Sequence, residues 1–307
     1  MLEAFFNNIE LQIMLVGAMV GIASSLLGTF LVLRGNSMLS DAISHSIVLG
    51  IVVVWMLTHH QSGPVQLVGA ALTGLLTVFL TELLASSRRM KQDAAIGLVF
   101  PALFSIGVLL LNVYAHDVHI DTHTVLLGEI GFVWLDTVSV LGYHVPQALV
   151  SMSIMLTLNL LFIALFFKEL KLSTFDPALA KALGFAPGVM FYALLMLTSS
   201  TAVAAFDAVG AVLFIAFAIV PPAAAYLLTD RLWLMLVLGA VISVAASISG
   251  YFIAVHWDVS IGGTMAMMTG AFLLLAFIAG PRYGVVSQRL RRQRARGLAD
   301  VSESALY

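Results

Sequence analysis

Two short stretches gather the side chains that could hold an ion. In "SDAISH", residues 40–45, Asp41 and His45 stand four apart. On a helix that spacing puts them on one face, one turn from each other. A carboxylate and an imidazole so placed can bind a divalent first-row metal such as Mn, Fe or Zn. Two ligands are too few for a closed site, but a second like chain about an axis would supply two more. On chemistry alone this reading weighs equally with an Asp–His hydrogen bond that steadies the helix, or with a proton relay. In "HDVHIDTH", residues 116–123, the ligand types are denser: His116, Asp117, His119, Asp121 and His123. Position along the chain decides between the two stretches.

The chain of 307 residues is 61% apolar and 10% charged, with a mean hydropathy of +1.05. Soluble domains run about 45–50% apolar and about 25% charged. So much apolar surface cannot be hidden in a water-soluble core, so the chain is an integral membrane protein. It has no cysteine, which removes disulfides, thiolate metal sites and cysteine nucleophiles. The opening "MLEAFFNNIE" carries Glu3 and Glu10 but no Lys or Arg; lacking a positive n-region, the first apolar run is expected to stay in the mature protein. No G-x-x-x-x-G-K-[ST], G-x-S-x-G or H-E-x-x-H occurs, so neither a P-loop nor a membrane hydrolase is indicated. Nothing points to a nucleic-acid partner.

Apolar runs of about 20 residues, each enough for about 30 Å of hydrocarbon, recur near 11–33, 38–57, 64–86, 92–114, 145–167, 188–206, 208–228, 231–256 and 262–280. Only "FDAVG" around Asp207 separates the sixth from the seventh, and Asp207 reads as a turn residue. With nine crossings all 14 Lys and Arg fall on one side, which the positive-inside rule makes cytoplasmic. The N-terminus is then outside and the C-terminus cytoplasmic. The acidic segment 115–144 lies outside, so "HDVHIDTH" sits in an outer loop. Its piece "VLLGEIGFVWL" is too short to span and reads as interfacial or re-entrant. His59, His60, His144 and His256 near outer span ends, and Glu82 near a cytoplasmic end, read as solvated.

Asp41 and His45 instead fall within the second span, about 10 Å beyond Arg34 at 1.5 Å per residue. A charge there costs about 2.5–3.5 kcal/mol on insertion scales, so it faces a cavity or a partner. Two further features stand out. "STFDPALAKALGFAPG" predicts a short cytoplasmic helix with Asp176 as N-cap, Pro177 at the first helical position and Gly184 as left-handed cap. Pro221 and Pro222 remove two backbone donors, which predicts a break or kink in the seventh span. The glycines of "GAMVG", 17–21, are spaced for close helix packing.

Several stretches together resemble the ABC-3 family of membrane permeases from bacterial manganese, zinc and iron importers. "RGNSMLSDAISHSIVLGI" is similar to the family's second-helix signature and "DAAIGLVFPALFSIGVLLL" to its fourth-span pattern. "STFDPALAKALG" resembles its cytoplasmic coupling segment, and "VGAVLFIAFAIVPPAAAYLL" its proline-bearing late span. The resemblance implies an all-α polytopic membrane protein of eight to nine transmembrane helices. It implies a single permease domain over 1–280, with a coupling helix at 174–184 and an outer acidic loop at 115–144, followed by a basic cytoplasmic tail at 281–307. Asp41 and His45 would line the metal path. Phe175, Asp176, Pro177, Ala180, Lys181 and Gly184 would dock a separate ATPase subunit.

The chain is then not itself an enzyme. It carries no permanent cofactor, only the transported divalent ion, with ATP on the partner subunit. The other implied partners are an extracytoplasmic metal-binding protein, a second permease chain (identical or related) and the lipid bilayer of a bacterial cytoplasmic (inner) membrane. Movement would proceed by alternating access. The rival is a stand-alone proton-coupled secondary transporter using Asp41 and His45 as a relay, which has no need of a capped, exposed docking helix. A membrane scaffold would leave the charged pair unexplained. "HDVHIDTH" would at most attract incoming cations or face the binding protein.

Overall fold

The computed structural model describes residues 8–58, 64–87, 89–114, 130–140, 143–280 and 284. "HDVHIDTH", His59, His60 and all of 281–307 except Gly284 lie outside the described residues.

Every apolar run becomes a helix: α1 (Ile9–Leu33), α2 (Ser37–Thr58), α3 (Pro64–Ser86), α4 (Gln92–Tyr114), α5 (Gln147–Leu165), α8 (Pro187–Leu228), α9 (Leu232–Trp257) and α10 (Ile261–Ala279), with short α6 (Phe167–Phe175) and α7 (Pro177–Ala182) between α5 and α8. Eight candidate spans follow among the described residues, α8 providing two of them. With 23 residues and an apolar stretch over Ala71–Ser86, α3 has the length of a ninth, about 35 Å. The all-α polytopic fold expected from the sequence is therefore what forms.

At 42 residues, α8 would run about 63 Å if straight, twice the hydrocarbon thickness. It does not run straight. Gly210, at φ 73° and ψ 169°, adopts a conformation open essentially to glycine alone and breaks α8, which provides the spans Pro187–Phe206 and Ala208–Leu228. Asp207 lies on helical backbone three residues before this break, rather than in a turn.

The break expected at Pro221–Pro222 is absent: helical backbone continues through both prolines to Leu228. Packing covers the group that is left without a donor. A proline at 222 frees the carbonyl of Ala218, four residues back. There α1 presents Gly28, so close that a Cβ at position 28 would fall on the Ala218 carbonyl oxygen. The freed group is thus covered by protein, the condition under which a membrane tolerates it. Gly17 and Gly21 likewise admit Ser247 and Met265, and Ser243 and Phe217, confirming the packing role of "GAMVG".

Two groups of helices result. α1 packs against α5, α8 and α9; α2 packs against α3 and α4; α8 touches both groups. Hydroxyls within the spans donate mostly to carbonyls one turn back, as Thr29 does to Ser25 at 2.8 Å, which satisfies them without water. Outside the helices, only Ile130–Leu135 of "VLLGEIGFVWL" falls among the described residues. Ile130–Phe132 make one 3-10 turn, followed by strands β1 (Thr137–Val140) and β2 (Tyr143–Pro146), paired antiparallel with Thr137 opposite Pro146. This hairpin precedes the start of α5, whereas α6 and α7 follow its other end, about 28 Å away.

Candidate metal site and coupling segment

α2 begins at Ser37, so Asp41 stands about 6 Å and His45 about 12 Å along it. Their i, i+4 spacing does bring them together: His45 Nε2 lies 3.3 Å from Asp41 Oδ1, and the side chains of His45 and Asp41 keep 29% and 31% exposure. That exposure matters because a sealed pair could serve only structure. Two donors 3.3 Å apart can both lie about 2.1 Å from one ion, at an angle of roughly 100°, near the tetrahedral value. Among the described residues no group of three or more His, Cys, Asp or Glu forms. The described part of the chain therefore offers two candidate ligands.

α4 holds the imidazole in place. Phe100, Phe104 and Gly107 share one face of that helix at i, i+4 and i+7. Gly107 lets α4 approach the backbone of Leu49. Phe100 then stacks on the His45 ring, with centroids 5.7 Å apart and planes 27° apart, and Phe104 meets it edge-on at 6.1 Å. Neither phenylalanine was singled out by sequence reasoning; their i, i+4 spacing was the available signal. One residue beyond His45, Ser46 accepts a 2.6 Å hydrogen bond from Thr77 of α3, fixing the second neighbouring helix.

The candidate coupling segment, 174–184, forms as its punctuation predicts. The Asp176 side chain accepts from Leu179 N at 2.9 Å, Pro177 opens α7, and Gly184 sits at φ +86°. Phe185 N donates to Ala180 O at 3.0 Å and Gly184 N to Lys181 O at 3.1 Å, the paired bonds of a Schellman cap. Ala180 is buried, while Phe175, Leu179, Leu183 and Phe185 are exposed apolar side chains around it. Lys181 is exposed. Replacing Asp176 with Ala removes the cap bond and costs about 1 kcal/mol locally. Amide exchange over 177–182 should therefore quicken about fivefold; unchanged exchange would show that the cap does not hold this helix.

Sequence reasoning missed the contacts around this segment. Arg34, the C-cap of α1, donates from Nε to Thr174 Oγ1 at 3.2 Å and from a terminal nitrogen to Ser173 Oγ at 2.9 Å. Its guanidinium lies 5.0 Å over the Phe191 ring. Burial lowers its pKa below the ordinary arginine value. Glu82, expected to be solvated, instead accepts a hydrogen bond from Tyr192 of α8. Phe167, Lys171, Phe175, Asp230, Arg231, Leu232 and Trp233 line one cleft beside α6. Arg34, Lys171 and Arg231 thus gather around α6. His256 is exposed in the last turn of α9.

Known proteins are similar to this chain over most of its length. The chain is 51% identical over 280 residues to the zinc transport system membrane protein TroD of Treponema pallidum (strain Nichols), covering 91% of this chain and 76% of that protein. It is 47% identical over 285 residues to the manganese transport system membrane protein MntD of Bacillus subtilis (strain 168), covering 92% and 96%. Among solved structures, PsaBC from Streptococcus pneumoniae in complex with a Fab superposes with a TM-score of 0.78 at 27% identity, covering 94% of this chain and 98% of that one. With relatives of this similarity and a family model that matches residues 7–280, the chain belongs to the ABC 3 transport family.

Proposed function

We propose that the chain is the membrane permease of an ATP-driven importer that carries a divalent transition metal, manganese or zinc foremost and iron by the same ligand chemistry, into a bacterial cytoplasm. The observation that carries this reading is the Asp41–His45 pair, partly exposed and at chelating separation on a span. Two ligands suit a transient stop, since a full ligand set would trap the ion. A second permease chain, identical or related, would complete the coordination with its own pair. The names of the relatives, for manganese and for zinc, support the cargo class.

The permease domain is 1–280 and the basic tail 281–307 cytoplasmic. The outer loop 115–144 faces an extracytoplasmic binding protein that delivers the ion, and His116, Asp117, His119, Asp121 and His123 raise the local cation concentration there. Residues 174–184 dock the ATPase subunit through Phe175, Asp176, Pro177, Ala180, Lys181 and Gly184. ATP closes the two ATPases, the docked helices move, and the spans reorient from outward- to inward-open around the pair. The chain holds no ATP site and no permanent cofactor, and is not an enzyme alone.

The test is reconstitution of the permease with its ATPase and binding protein in liposomes. Metal should accumulate only with ATP inside the cytoplasmic compartment. Uptake driven by a proton gradient without the ATPase would overturn the proposal in favour of a secondary transporter.

A further inference from the structure

We propose that Arg34 is a positioning residue that ties the coupling segment to the helix bearing Asp41 and His45, so that movement of one is transmitted to the other. The inference rests on the reading that residues 174–184 dock the ATPase.

Arg34 grips the coupling segment from both sides. Ser173 and Thr174, which accept from its guanidinium, stand immediately before the α7 N-cap. Phe191, whose ring lies under it, stands in the first turns of α8, immediately after the segment. No carboxylate pairs with Arg34 among the described residues, although it is half-buried. A cation held only by two hydroxyls and a ring face gains little as a stability device. It fits a joint whose contacts must be made and remade.

The link from Arg34 to the metal pair is short and stiff. Gly35 N donates to Val32 O at 3.0 Å and Asn36 N to Leu31 O at 2.9 Å, the two bonds of a Schellman cap, with Gly35 at φ +71°. α2 starts at the next residue, and Asp41 follows about one turn later. A displacement of Arg34 therefore carries the start of α2 with it rather than being absorbed by a loop. A second line runs in parallel: Tyr192 donates to Glu82 of α3, and Thr77 of α3 donates to Ser46, beside His45. Only arginine supplies a planar fork with a stackable face, so lysine cannot reproduce the three contacts.

The experiment uses the complete reconstituted importer and reads metal ions transported per ATP hydrolysed. In Arg34→Gln, ATPase subunits should remain bound and hydrolysis should continue, while the ratio falls about tenfold; Arg34→Lys should fail to restore it. A merely structural role would lower assembly and both rates together. An unchanged ratio in an intact Arg34→Gln complex overturns the tie, and so does loss of the ATPase, which would make Arg34 a docking residue. Should Arg34→Gln fail to accumulate, the Ser173→Ala/Thr174→Val double variant, which leaves the cation in place, is measured in its stead. A fall in its ratio with the ATPase bound supports the tie, and an unchanged ratio overturns it. Failure of the underlying docking reading is seen separately, as undiminished ATPase retention when Asp176→Ala and Gly184→Val are combined.

Discussion

With Asp41 replaced by Asn, metal uptake by the assembled importer should fall about 100-fold or more, because even residues that only support metal ligands are worth about 10- to 100-fold. Asn keeps the volume and hydrogen-bonding reach of Asp but not the charge that a hard or borderline divalent ion requires. The neighbouring His45, still stacked on Phe100, becomes the sole ligand of this chain at the stop. Stability should move the other way. An aspartate within a span costs about 2.5–3.5 kcal/mol on insertion scales, and the neutral amide costs less. A transport defect accompanied by an equal or higher melting temperature is then a loss of function without a loss of fold. Isotope uptake together with a thermal melt of the purified complex measures both. Uptake within a few-fold of the unsubstituted protein would show that the ion does not stop at Asp41.

Gly28→Ala should be the most damaging single-methyl change in the bundle. The added Cβ would fall on the Ala218 carbonyl oxygen, a backbone atom that no rotamer change can move aside. α1 and α8 would have to separate along a contact in which Gly21 also meets the buried Phe217. Overpacking of this kind costs roughly 3 kcal/mol at its upper range. Separation would also uncover the carbonyl that Pro222 leaves without a donor, adding the cost of an unsatisfied polar group. The level of full-length chain in the membrane and its melting temperature in detergent should both drop sharply. A melting temperature unchanged by Gly28→Ala would mean that the two helices leave room for a methyl group at this crossing.

What the sequence made legible follows from which forces are local. The spans were legible because the bilayer fixes both their length and their polarity, and the helices fall within a few residues of the predicted runs. The coupling helix was legible because Asp176, Pro177 and Gly184 act within one or two turns of themselves. The Asp41–His45 contact was legible because helical spacing alone creates it. Illegible were interactions between residues far apart in the chain. Arg34 meets Thr174 across 140 positions, and Glu82 meets Tyr192 across 110; no periodicity announces either. At Pro221–Pro222 no break formed, and the cover of the freed Ala218 carbonyl by Gly28, distant in sequence, was illegible in the same way. The strands Thr137–Val140 and Tyr143–Pro146 went unseen because four residues each are too few to display an alternation.

The break at Gly210 bears on how the chain enters its membrane. Asp207, three residues before the break, is the single charged residue among the 42 from Pro187 to Leu228. No polar loop exists for the insertion machinery to pass across the bilayer between the two halves of α8. The halves must therefore go in together as a preformed pair, oriented by Lys181 behind and Arg231 ahead. A basic residue placed near Asp207 would oppose both flanks at once and strand the whole pair, not one helix, during synthesis.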